Sequence, residues 1–159
     1  MAERIDQSTL AQKIWEGEID SAPSPTDSSA LVKRLYEEVW SKGNLSLVDE
    51  FFSSNFIDHN LPPGVPDGRE GYKAGVAMIR ASFPDIKYKL DQVVVEDNRL
   101  AVRLTGTGTH KGDFMEIPPT GKQVKYTSMT FFHLNNGKFT ERWTITDIPG
   151  LIQQLTAKG

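Results

Sequence analysis

The 159-residue chain contains no cysteine. That excludes disulfides, thiolate nucleophiles, zinc–cysteine sites and iron–sulfur clusters. Basic charge is not in excess either: 18 Lys and Arg face 21 Asp and Glu, a formal net charge of −3. A nucleic-acid partner needs a basic face to displace phosphate counterions, so none is expected. Long apolar runs are also missing, and nothing approaches the roughly 20 residues needed to span a bilayer. The opening residues, Met1-Ala2-Glu3-Arg4-Ile5-Asp6, carry acids and no apolar core of the kind a secretory signal needs. These absences point to a cytoplasmic protein that binds neither nucleic acid nor membrane. Histidine is scarce: His59, His110 and His133 stand far apart with no helical His-x-x-x-His spacing, so no metal site is expected.

What remains is a globular composition, 38% hydrophobic and 25% charged. Residues 20–29 hold two prolines, four serines and no large apolar group, and read as a linker. Before them, Leu10, Ala11, Ile14, Trp15 and Ile19 form a helical stripe, either a frayed helix or an arm that docks on a neighbouring subunit. The division expected is an N-terminal arm and linker over 1–29 and a folded domain over 30–159. Within that domain, Leu31, Val32, Leu35, Tyr36, Val39 and Trp40 mark one helix, capped by Ser28 or Ser29 and ended by Gly43. Leu45 to Phe51 marks a short second helix. A third covers Arg69 to Ser82, with Tyr72, Val76 and Ile79 on one side and Pro84 as its stop.

From Ile86 the apolar period changes to two. Strands are predicted over 86–96, 100–110, 124–134 and 139–146. Asn135-Asn136-Gly137 is a hairpin signal, because both central positions of a type I′ turn need positive φ. Asp147 caps a closing helix, with Pro149 in its first turn. Helices first and a meander afterwards make an α+β fold, with helices packed across the concave face of a curved antiparallel sheet. The last two strands have two unlike faces. Tyr126, Ser128, Thr130, Arg142 and Thr144 share one parity; Met129, Phe131, Trp143 and Ile145 share the other. The second set is a large apolar patch whose expected cover is another copy of the chain, in a homodimer or dimer-based oligomer.

Several motifs carry a family resemblance. Phe56-Ile57-Asp58-His59-Asn60 with its Pro-Pro-Gly loop, Gly106-Thr107-Gly108-Thr109-His110-Lys111-Gly112-Asp113-Phe114, Ile117-Pro118-Pro119-Thr120-Gly121, and the ending from Gly137 to Leu155 resemble SnoaL-like polyketide cyclases over about residues 30–156. The resemblance implies a cone-shaped α+β barrel of the nuclear-transport-factor-2-like superfamily, with an apolar pocket between helices and sheet. It also implies acid/base chemistry by an aspartate, with no metal and no organic cofactor. The departure from the family is specific. Thr144 stands where those cyclases carry the catalytic aspartate, and Thr130 where an assisting histidine falls.

Removing a proton beside a carbonyl needs a base within hydrogen-bond reach. His59, at the end of an extended segment, and Asp147, before the closing helix, are the candidate catalytic residues. The alternatives are an anchoring histidine and a plain helix cap. Trp40, Tyr126, Ser128, Thr130, Arg142 and Thr144 are the candidate ligand pocket, suited to a small oxygenated apolar molecule. Tyr36, Tyr72 and Met78 are further wall candidates. Three functions stay open at this stage: a cofactor-independent cyclase, isomerase or hydrolase; a small-ligand binder; and an oligomerisation module.

Overall fold

The computed structural model describes residues 25–158. The stripe from Leu10 to Ile19 lies outside them. Helix α1, Pro25–Arg34, begins inside the stretch read as linker. Proline is tolerated in a first helical turn, where its missing N–H leaves nothing unpaired. The expected caps are therefore helical instead, with Ser28 buried and Val32 at 0% exposure. The helix continues as a π-helical segment, Leu35–Ser41. Tyr36 and Trp40, four residues apart, lie on the same side of it, and their rings stack at 6.2 Å. The Arg80 guanidinium donates to the Trp40 and Ser41 carbonyls at 2.9 and 2.7 Å, satisfying the end of the segment.

A 3₁₀ turn, Leu45–Leu47, leads into α2, Val48–Phe51, then β1, Phe52–Asp58. Helix α3 is Gly68–Ser82. Strands β2 (Lys87–Glu96), β3 (Arg99–Thr109), β4 (Gln123–Asn135) and β5 (Lys138–Thr146) follow, and α4, Ile148–Thr156, closes the chain. The predicted meander is present, but it is four-fifths of the sheet. Strand order is β1-β5-β4-β3-β2, and β1 pairs parallel to β5. The segment around Phe56, read as a short extended piece, thus becomes an edge strand that makes the sheet mixed. The sheet stays open, and the helices complete a cone-shaped α+β fold.

Burial along β4 alternates without a break, from Val124 to Leu134 inward and from Lys125 to Phe131 outward. The inward face carries one apolar cluster, in which Leu100, Val102, Phe132 and Phe139 meet Val32, Leu35, Val39 and Phe52. A second cluster, with Phe83, Ile86, Phe114 and Leu151, fills the other end. Each large side chain removed from water there contributes roughly 1.5–3 kcal/mol. Asn136 and Gly137 both have positive φ, 51° and 71°, as the type I′ turn requires.

Candidate active site

Between the two clusters the inward face turns polar and the helices stand off from it, leaving a cavity of about 300 Å³. All four tyrosines of the sequence line it, with Trp40 beside them. The Trp40 indole donates to the Tyr72 hydroxyl at 2.7 Å. The loop after β1 supplies Asn60, Leu61 and Pro62 to the rim. That loop rides directly on α3: a Cβ at Gly71 would lie 1.8 Å from the Pro66 carbonyl oxygen, so glycine is what permits the approach.

The sheet side of the cavity carries hydroxyls in ladder register. Thr130 stands opposite Thr144, and Ser128 opposite Thr146. Thr130 and Thr144 hydroxyls are 2.8 Å apart, and Ser128 and Thr146 hydroxyls 3.0 Å. The Thr144 backbone N–H donates to the Asn60 side-chain carbonyl at 2.7 Å, so Asn60 prolongs the edge pairing beyond the end of β1.

At the β1–β5 seam lie the one cation and the one carboxylate of the cavity wall among the described residues. Asp58 and Arg142 are register partners across the parallel pair. Arg142 Nη1 donates to Asp58 Oδ2 at 2.7 Å, with the Asp58 side chain fully buried and that of Arg142 11% exposed. The Asn60 N–H donates to Asp58 Oδ1 at 3.0 Å. The Arg142 guanidinium lies 5.1 Å from the Tyr72 ring centroid, and its buried Nε has no hydrogen-bond partner. Burial opposes the Arg142 charge, but Tyr72, Asp58 and Tyr36 outweigh it and hold the group above its ordinary pKa. Burial also raises all four tyrosines: Tyr126 is pushed up to about 12, and Tyr36, Tyr72 and Tyr88 upward as well. At neutral pH the wall therefore offers phenolic O–H donors, not phenolates.

The six residues read from sequence as a pocket, Trp40, Tyr126, Ser128, Thr130, Arg142 and Thr144, all line this cavity. So do Tyr36 and Tyr72, whereas Met78 does not and is 51% exposed on the outer side of α3. The two residues read as candidate bases lie elsewhere. His59 follows Asp58 and so points to the opposite face of the sheet. There it stacks on Trp143 at 4.6 Å and pairs with Glu141 through Nε2 at 2.7 Å. His133 joins the same carboxylate at 3.3 Å. Asp147 is exposed and accepts from the Gly150 N–H at 3.0 Å, which is helix capping. His110 is fully buried outside the cavity, its Nδ1 accepting from the Thr120 N–H at 3.1 Å. Sequence reasoning passed over Asp58 in favour of its neighbour. The period-two alternation of the segment was the available signal, but it could not say which parity faced inward.

On the outer face Met129, Ile145 and Val94 are 63%, 79% and 55% exposed and form a shallow apolar groove with Phe131 and Trp143. Among the described residues no three His, Asp or Glu side chains are grouped to hold a metal ion, and no helix is long and apolar enough to cross a membrane.

A cone of helices over an open curved sheet, with a polar-floored cavity between them, defines the nuclear-transport-factor-2-like class. The family model for SnoaL-like polyketide cyclases matches residues 30–155, and the chain belongs to that family. Among solved structures, it is similar to a protein from Jannaschia sp. CCS1 named as a SnoaL-like polyketide cyclase, at 28% identity and TM-score 0.75 over 89% of this chain and 99% of that one. A protein from Acidithiobacillus ferrooxidans named as a polyketide cyclase shares 31% identity at TM-score 0.71, covering 84% and 96%. IdmH from Streptomyces antibioticus, also named as a polyketide cyclase, shares 29% at TM-score 0.73, covering 82% and 99%. No curated protein matches the chain.

Proposed function

We propose that this protein is a cofactor-independent enzyme that performs cyclase-like acid/base chemistry on a small oxygenated, largely apolar molecule. The observation that carries this is the Asp58–Arg142 pair, the single carboxylate and single cation among the described lining residues of a cavity whose wall is otherwise uncharged and rich in aromatic rings and hydroxyls. The proton-accepting role considered for His59 and Asp147 passes in this reading to Asp58, the carboxylate among the described lining residues, whose buried oxygens must part from Arg142 or the Asn60 N–H to take a proton. Asp58 takes the proton from carbon beside a carbonyl, and the electron pair moves onto the carbonyl oxygen. Arg142, whose cation faces the same site, favours that developing negative charge. The hydroxyls of Ser128, Thr130, Thr144 and Thr146 orient the oxygens of the ligand, and the aromatic wall holds its carbon frame.

A second reading is that the cavity retains a ligand without turning it over. It is favoured by Thr144, which puts a hydroxyl at the position where the family's resemblance implies an acid/base aspartate. It is also favoured by Asp58 itself, whose two oxygens already accept hydrogen bonds. Mass spectrometry of small molecules that co-purify with the protein separates the two. The enzyme reading expects a candidate substrate to be converted by the wild type and not by Asp58→Asn. Return of every retained molecule unchanged by the wild type leaves the binding reading. In either case we propose that the apolar outer face joins two copies of the chain.

A further inference from the structure

Tyr88, Gly106 and Tyr126 stand in one row across three strands: Tyr88 is the register partner of Gly106, and Gly106 of Tyr126. Residues in one row project to the same face of a sheet. Two phenols thus flank a position that has no side chain, and their hydroxyl oxygens meet at 2.6 Å. The rings cross edge to face, with centroids 6.2 Å apart. A Cβ at Gly106 would lie 2.8 Å from Tyr126 Cζ and 3.0 Å from Tyr88 Cε1. Glycine inside a strand weakens the strand, and here it marks a close approach of neighbouring groups. The missing side chain is what lets the two hydroxyls converge.

Each phenol has one hydrogen to donate. One of the two is used within the pair. The other has no acceptor among the described residues, although both tyrosines line the cavity. Accepting a hydrogen bond makes a hydroxyl a better donor, so the phenol with the free hydrogen is polarised by its partner. The pair is also apart from the charged site. Arg142 is opposite Phe132 on β4, whereas Tyr126 lies six residues earlier on that strand, beyond Thr130 and Ser128.

We propose that the Tyr88–Tyr126 pair is an oxygen-binding site of the cavity, taking a carbonyl, enol or phenol oxygen of the ligand and favouring its anionic form. The inference rests on the reading above that the cavity accepts a small oxygenated molecule, and adds where one oxygen is held. A charge-assisted hydrogen bond to an oxyanion is stronger than one to a neutral acceptor. Gly106 acts as a positioning residue for the pair.

The test uses the full-length protein and two probes of nearly equal size, 4-nitrophenol and nitrobenzene, with binding measured at a pH where the free phenol is half ionised. The visible phenolate band reports which form is bound. The wild type is expected to bind the phenolate at least about ten-fold more tightly than nitrobenzene, about 1.4 kcal/mol. Tyr88→Phe/Tyr126→Phe removes both hydroxyls and orphans neither, and it is expected to abolish the preference while nitrobenzene binding is retained. Gly106→Ala keeps both hydroxyls, forces the rings apart, and is expected to reduce the preference; it serves if the double variant does not fold. A preference that survives in the folded double variant, or that Gly106→Ala leaves undiminished, overturns the proposal and moves the oxyanion to the Arg142 end. Equal binding of the two probes by the wild type overturns it while leaving the cavity reading intact. Binding of neither probe removes both.

Discussion

Neutralising Asp58 should be among the most damaging single changes available in this protein. Asp58→Asn conserves volume but removes the charge that faces Arg142 at 2.7 Å. The arginine cannot shed its proton in the accessible pH range. It is left as a cation whose side chain is 11% exposed, with the Tyr72 ring at 5.1 Å as its remaining electrostatic partner. Breaking one side of a buried pair costs roughly 3–5 kcal/mol, because the other charge stays desolvated and unpaired. The cation–π contact offsets part of that, on the order of 1 kcal/mol, so we expect a loss of about 2–4 kcal/mol. Arg142→Met should cost a similar amount for the converse reason, with the Asn60 N–H as the residual partner of Asp58. The double variant Asp58→Asn/Arg142→Met leaves no orphaned charge and should recover most of the loss. Urea unfolding of the four proteins gives the cycle directly, provided their m-values agree. Single variants that each cost under about 1 kcal/mol and add without coupling would refute the reasoning, since neighbours in one buried pair must couple.

Thr144→Asp places a carboxylate among the Thr130 and Ser128 hydroxyls, 2.8 and 3.3 Å from the present Oγ1, and should cost about 1–3 kcal/mol as a poorly paired buried group; a loss under about 0.5 kcal/mol in denaturant melts would contradict its inward placement. Alkali should destabilise the protein. All four tyrosines have folded pKa values above the ordinary 10, Tyr126 about 12, through burial. The unfolded chain therefore loses protons first. Stability is full below about pH 10 and falls as pH rises toward 12 and beyond. Phenolate absorbance should appear together with loss of the fold, and ionisation of most tyrosines in a protein that stays folded near pH 10 would refute this. Ile145→Lys, at a position 79% exposed, should change the stability of a monomer by no more than about 0.5 kcal/mol but shift light-scattering mass from dimer to monomer if the outer face joins two copies. A wild-type monomer at tens of micromolar would remove the dimer proposal.

Local chemistry decided what was readable in the chain. Alternation from Val124 to Leu134 divides β4 into two faces whatever it packs against, because successive side chains must point to opposite sides. That is why the polar set Tyr126, Ser128, Thr130, Arg142 and Thr144 and the apolar set Met129, Phe131, Trp143 and Ile145 could be separated without coordinates. The turn at Asn136-Gly137, the stop at Pro84 and the cap at Asp147 were equally legible, since each depends on one or two residues and their own backbone. The site depended on contacts that no local pattern contains. Asp58 meets Arg142 across 84 positions only because β1 adds parallel to β5 in one register. A shift of that register by one residue would have brought His59 inward in place of Asp58. The convergence of Tyr88 and Tyr126 over Gly106 likewise arises from the pairing of three separate strands. Periodicity in the sequence sorted side chains into faces; strand order and register, set by the packing of the whole domain, decided which faces meet and which charges are buried together.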